Sequence, residues 1–335
     1  MQAARWTETA DGKGYIYSFN GPHSLFVDTM RTLRSLAVAH QLGHVLMGEH
    51  DRKISLLQRL IEHAQTTARY SIYYGEERDA YDTPGRTAHE SVFNINDGSY
   101  RCPNSQQGYS PFTTWTRGLA WAMLGFAEQL EFLSALKSAG IFTSIFPGKA
   151  FSELESSFFR AAMVTSEFFV RTSCADGISM WDTGAPNLHR LGDFMSQPAK
   201  PFNPWEPVDS SAAVIAAQAL LRFAKYPRNK GKAATRYRQA GLTVAHTLFN
   251  EPYLATRSAH QGLLLHSVYH RPNGWDYIAP GQKTPSGESS MWGDYHAREL
   301  ALLILRAAKR ETYITFFDPT FAKCPTRVLE FQNMV

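Results

Sequence analysis

The sequence predicts an all-α fold, a toroid of α-hairpins, and three observations carry that expectation. Apolar residues recur at helical spacing along most of the chain. Long loops rich in Gly, Pro, Asn and Trp separate the helical stretches at wide intervals. No run of alternating apolar and polar residues is long enough to compete as a strand.

The helical stretches fall at about 24–46, 52–73, 114–134, 150–171, 208–225, 232–249 and 289–309. In the first, Phe26, Met30, Leu33 and Ala37 share one face, and in the fourth Leu154, Phe158, Ala161, Ala162 and Phe168 do the same. The fifth, DSSAAVIAAQALLRF, is small and apolar on nearly every side and reads as a fully buried inner helix. The loops at 74–113, 172–207 and 250–288 are long for a compact domain, which marks them as functional. Short and long connections alternate, so the helices pair and the site lies at one rim. Neither a linker nor a shift in composition divides residues 1–335, and one shortened toroid domain is expected. The segment 310–335, with Pro319 and Pro325, adds little helix.

At 335 residues, 44% apolar and 19% charged, the chain has the composition of a globular protein with a sizeable core. The net charge of +4 comes from scattered basic residues, which disfavours a nucleic-acid partner. No stretch is long and apolar enough for a membrane span, and the N-terminal MQAARWTETADGKGY has no signal-like apolar region. Cys102, Cys174 and Cys324 are odd in number and far apart, so neither disulfides nor a zinc site is expected, and a cytoplasmic, reducing setting fits, with a periplasmic one open should an N-terminal segment be missing. His266 and His270 are four apart, but Gly, Pro and Asn around them oppose a helix, so no metal and no cofactor is expected. The same pair is poorly placed to act as the two bases of a sugar epimerase. Aromatic residues make up 13%, several of them in loops among Gly, Asn and Gln, as a sugar site requires.

Four segments together resemble the unsaturated glucuronyl hydrolases and their cousins, the unsaturated rhamnogalacturonyl hydrolases. They are SLFVDTMRTLRSL (24–36), QQGYSPFTTWTRGLAWAMLGF (106–126), EPVDSSAAVIAAQALL (206–221), and GLLLHSVYHRPNGW (262–275) followed by ESSMWGDYHARELALL (288–303). The combination of QGYS-x4-W-x-R-G-x-A-W with WGDY is specific where either block alone is not. The resemblance implies an (α/α)6 toroid, a six-hairpin barrel, and hydration of the C4=C5 double bond of an unsaturated uronic acid in a lyase-generated oligosaccharide. Such a ring is a cyclic vinyl ether. Protonating C4 develops positive charge at C5, water adds there, and the hemiketal opens to release the linked sugar. That chemistry needs a carboxyl group that gives up a proton and then helps to activate water.

By the same resemblance Asp28 is the general acid and base; its alternative reading is an N-cap of the helix that follows. His89 and Gln107 are implied contacts of the sugar and the water, against a structural His and a turn residue beside Gly108. Trp115 and Trp121 are the implied aromatic platform, against core packing, and Arg117 the implied partner of the substrate carboxylate. Tyr269 is placed near the uronate and Ser289 where its loop approaches the acid group, while Asp209 reads mainly as the cap of the DSSA helix. The family's second aspartate, on an earlier helix, has no counterpart ahead of Asp28, since Asp11 sits in a turn. An incomplete ring is therefore expected, with exposed apolar flanks, completed by a missing N-terminal segment or by another subunit. A toroid that binds acidic oligosaccharides without turnover is the alternative.

Overall fold

A computed structural model of the chain describes residues 2–140, 150–257 and 260–317. Among the described residues seven α-helices form, at Thr29–Gln41 (α1), Leu56–Tyr70 (α2), Thr116–Ser138 (α3), Ala150–Thr172 (α4), Ser210–Lys225 (α5), Gly231–Leu248 (α6) and Met291–Ala308 (α7). Each coincides with one expected stretch. The helices pack in two layers. α1, α3, α5 and α7 stand side by side in that order, while α2 covers α1, α4 covers α3 and α6 covers α5. This is the inner and outer stave arrangement of an α/α toroid, with four inner and three outer staves among the described residues.

The sequence explains the layering. α5 is buried on every side from Ser210 to Phe223, as its run of Ala, Val and Leu requires. α3 is buried along most of its length, and Gly125 lets α1 approach closely: a Cβ there would lie 2.7 Å from the Cβ of Met30. α7 buries only Gly293, His296, Ala297 and Leu300 within its length and exposes Met291, Leu302 and Leu305. One flank of the arc thus presents apolar side chains to solvent.

The strands correct the sequence reading. Among the described residues seven short strands form, at Trp6–Glu8 (β1), Gly14–Ile16 (β2), Ser24–Phe26 (β3), Leu46–Met47 (β4), Lys53–Ile54 (β5), Glu90–Phe93 (β6) and Tyr100–Asn104 (β7), and β3, β6 and β7 make an antiparallel three-stranded sheet. Segments of three to five residues carry too little alternation to register as a period. They also move the start of the first helix from 24 to Thr29, because 24–26 is strand. Cys324, Pro319 and Pro325 lie outside the described residues.

The inner layer is not filled by apolar side chains alone. Arg34 of α1 donates to both Glu128 of α3, at 3.0 Å from Nε, and Glu299 of α7, at 2.8 Å. Gln218 of α5 donates to Glu299 at 2.6 Å and accepts from His296 Nδ1 through its amide oxygen at 2.6 Å. Nearer the far end of α3, Arg222 meets Glu131 at 3.0 Å. Four helices are therefore cross-linked by charge through the middle of the layer. Burial alone would raise the Glu299 carboxyl, but Arg34, Tyr295 and Gln218 hold it down to about 2. A carboxyl with a depressed pKa stabilises the fold above its ordinary value of 4.5 and loses that contribution as the pH falls toward 2. Replacing Glu299 with Gln should lower the urea unfolding free energy at pH 7 by roughly 1–3 kcal/mol. The gap from the wild type should narrow as the pH drops below that ordinary value; a gap independent of pH would show that the ionised carboxylate does not matter.

Candidate active site

The site begins with strand pairing. β3 and β6 run antiparallel with Phe26 opposite Glu90, and the Val27 amide donates to the His89 carbonyl at 2.9 Å. Asp28 and His89 therefore leave the end of the same ladder together. His89 Nε2 lies 3.2 Å from Asp28 Oδ2, out of line for a hydrogen bond, and neither atom has another partner in the protein. On the other edge of the ring, His89 Nδ1 accepts from the Gln106 amide at 3.0 Å and the Gln107 amide at 3.3 Å. Two amides pointing at Nδ1 make it an acceptor, so the neutral imidazole carries its proton on Nε2, toward Asp28.

Asp28 stands at the entrance of α1 without capping it, since its side chain accepts no hydrogen bond from the helix. Its side chain is 28% exposed whereas that of His89 is 1% exposed, so the carboxyl is the part of the pair that solvent reaches. The imidazole is fixed by packing between Phe26, 4.4 Å away, and Trp115, 4.8 Å away.

Arg117 organises the second half. Its guanidinium is buried and donates to Asp209 at 3.2 Å, to Gln107 Oε1 at 3.0 Å, to the Tyr269 carbonyl at 2.7 Å and to the Val268 carbonyl. It also lies between two indoles, 4.6 Å from the ring of Trp115 and 4.8 Å from that of Trp292. Asp209 in turn caps α5 by accepting from Ser211 and Ala212, and the Val268 amide points at it as well. Burial alone would raise this carboxyl and lower the guanidinium; the facing charge and the converging donors oppose both tendencies.

Several expectations change in consequence. Asp28, His89, Gln107 and Arg117 are brought together as one connected group. Arg117, however, is not free to clamp a substrate carboxylate, because Asp209 already balances its charge and protein acceptors occupy its terminal nitrogens. Trp115 is 3% exposed and serves as a wedge between His89 and Arg117, not as a sugar platform. Trp121, one turn further along α3, is half-buried against the ring of His296 at 5.3 Å. Tyr269 is 48% exposed and rests on Trp275 and Trp292, so it remains an accessible face. Ser289 packs against Gly262, and the next residue, Ser290, caps α7. His266 and His270 have separate surroundings, the first accepting from Gly287 and the second from Asn273. Among the described residues no group of His, Cys, Asp and Glu is arranged to hold a metal ion. Asp11 is engaged by Thr9 and Arg69 at the surface.

Two positioning carboxylates escaped the sequence reading, and the role of a third was only half seen. Asp276 accepts from the amides of Tyr269 and His270 and so shapes that loop. Asp182 accepts from the Tyr109 amide at 2.9 Å and anchors the QGYS turn; its pKa is pushed up to about 6, chiefly by burial. Asp209 was recognised as a cap but not as the partner of Arg117. Its place beside Ser210 and Ser211 advertises only the cap.

Because Asp209 is wholly buried, its exchange for Asn should leave Arg117 uncompensated and lower stability by about 3–5 kcal/mol. Urea unfolding would read this directly, and a loss below about 1 kcal/mol would mean that the pair is dispensable to the fold.

No family model matches the chain. It is 22% identical over 241 residues to an unsaturated glucuronyl hydrolase of Formosa agariphila, covering 71% of this chain and 46% of the relative. It is 23% identical over 218 residues to an unsaturated glucuronyl hydrolase of Bacillus sp. strain GL1, covering 65% and 46%. The chain thus spans about half the length of these curated relatives. Among solved structures, the Bacillus sp. GL1 enzyme superposes with a TM-score of 0.62 at 20% identity, over 91% of this chain and 66% of that one. The Streptococcus agalactiae enzyme gives 0.61 at 20% identity, over 94% and 63%. In sequence and in fold, then, the chain is a relative of the unsaturated glucuronyl hydrolases, built on their α/α toroid.

Proposed function

We propose that the chain is a glycosidase that releases unsaturated uronic acid from lyase-generated oligosaccharides, with Asp28 as general acid and base. The observation that carries this reading is the pairing of a solvent-reachable carboxyl with a buried histidine of fixed tautomer at a rim of the toroid. The relatives are named for this activity. One solved neighbour is described with dGlcA-Glc-Rha-Glc, and a mutant of the Streptococcus agalactiae enzyme is complexed with dGlcA-GalNAc6S.

On this reading the reaction starts from Asp28. Nε2–H of His89 faces Oδ2 of Asp28, which leaves Oδ1 to carry the proton that C4 receives. As that proton transfers, the C4=C5 electron pair forms the new C–H bond and positive charge develops at C5, shared with the ring oxygen. Asp28, now a carboxylate, takes a proton from the water that adds to C5, and the hemiketal then opens with loss of the linked sugar. No displacement at the anomeric carbon is needed, so a second carboxylate across the ring is not required. Gln107 is held by Arg117 through its Oε1, which turns its Nε2 hydrogens away from Arg117 and frees them for a sugar oxygen. Gln106 Oε1 is buried without a protein partner and offers an acceptor close by.

Turnover is read by loss of the vinyl-ether ultraviolet absorbance of a Δ4,5-unsaturated disaccharide. Asp28→Asn should slow the decay by at least about 100-fold, the scale of a lost general acid. Its melting temperature should not change, because the side chain caps nothing. Decay at the wild-type rate in the variant would remove Asp28 from the reaction, and binding by the wild type without any decay would select a sugar-binding toroid instead.

A further inference from the structure

The loop that Arg117 grips carries a histidine to which the steps above give no task. His270 is 4% exposed, and its Nε2 is buried without a hydrogen-bond partner in the protein. Its other nitrogen is committed, since Nδ1 accepts from the Asn273 amide at 3.3 Å and caps the short turn Arg271–Asn273. Burial, as the largest influence, lowers the pKa of the ring, with the nearby Arg117 acting in the same sense, so the imidazole is neutral near pH 7. A neutral ring whose Nδ1 accepts must carry its proton on Nε2. The result is a donor of fixed direction that the fold leaves unused, although buried donors are ordinarily satisfied.

Its surroundings locate it. The amides of Tyr269 and His270 both donate to Asp276, and the carbonyls of Val268 and Tyr269 accept from Arg117, so the backbone that presents His270 is pinned from two sides. His270 lies within electrostatic reach of both Arg117 and His89. Its ring rests 4.7 Å from that of Trp275, and Tyr269 lies 5.5 Å from the same indole. Trp275 and Tyr269 are 58% and 48% exposed. An unused donor beside exposed aromatic faces, next to the reacting group but not part of it, has the composition of a subsite for a neutral sugar.

We propose that His270 is a substrate-binding residue whose Nε2–H donates to an oxygen of the sugar linked to the uronate, with Trp275 and Tyr269 supplying the apolar face for that ring. The assignment rests on the reading of this chain as an unsaturated uronyl hydrolase and adds the part of the substrate that it recognises beyond the unsaturated ring.

Two substitutions separate the roles of the imidazole. His270→Asn keeps an acceptor where Nδ1 caps the turn and removes the donor, whereas His270→Gln returns an amide N–H near the position of Nε2. On an unsaturated disaccharide His270→Asn should raise KM about five- to tenfold, the worth of one hydrogen bond, with kcat little altered and the melting temperature kept. His270→Gln should recover part of that loss, and the loss should shrink on the methyl glycoside of the unsaturated uronate, which lacks the second ring. An unchanged KM in His270→Asn, or equal losses on both substrates, overturns the assignment while leaving the activity in place. A wild-type protein that consumes neither substrate overturns the activity, and the assignment with it.

Discussion

The buried pair of Arg117 and Asp209 is the constraint on which the site depends. Each charge would be costly in the interior alone, so each fixes where the other can be. Arg117 belongs to α3 and Asp209 to the entrance of α5, so the pair sets the spacing of two inner staves. The donors of Arg117 that remain hold Gln107 on one side and the Val268–Tyr269 backbone on the other. Trp115 and Trp292 close over the two faces of the guanidinium, which joins the QGYS-to-Trp block to the WGDY block. Four segments far apart in sequence, at 107–117, 209, 268–269 and 292, thus meet at one side chain.

The small sheet supplies what the helices cannot. A helix entrance alone would leave Asp28 free to turn back and cap its own amides. Extending the chain through β3 and pairing it with β6 sets the carboxyl beside His89 instead. The amides of Gln106 and Gln107 then fix the proton of that histidine, and Gln107 hands the chain of contacts on to Arg117. Further along the same helices the polar contacts continue through Arg34, Glu128, Gln218 and Glu299. Their role there is to hold the staves together, whereas around Asp28 one buried polar atom each of Asp28, His89, Gln106 and His270 has no partner within the protein.

Much of the helical frame was legible because its signals are local and long. Seven stretches of apolar periodicity match the seven helices among the described residues, and the small-residue run of α5 foretold its burial. The strands were not legible, since two to five residues cannot display a period of two against noise. The grouping of Asp28, His89, Gln107 and Arg117 was reached only through resemblance to a family. Residue types alone left Asp28 open to a cap, and the backbone shows that the cap is not made. The task of Arg117 was misjudged for a physical reason: sequence shows a guanidinium near a sugar motif but not the buried carboxylate ninety-two positions later that neutralises it. Asp276 and Asp182 were missed because carboxylates that accept from loop amides look, in sequence, like ordinary turn residues.

A crystal structure of the Asp28→Asn protein soaked with a Δ4,5-unsaturated disaccharide tests the central claim most directly. The account places C4 of the unsaturated ring against the side chain of residue 28 within van der Waals reach, beside His89, with Arg117 still paired to Asp209. A ring seated away from residues 28 and 89, or a substrate carboxylate that displaces Asp209 from Arg117, would contradict it.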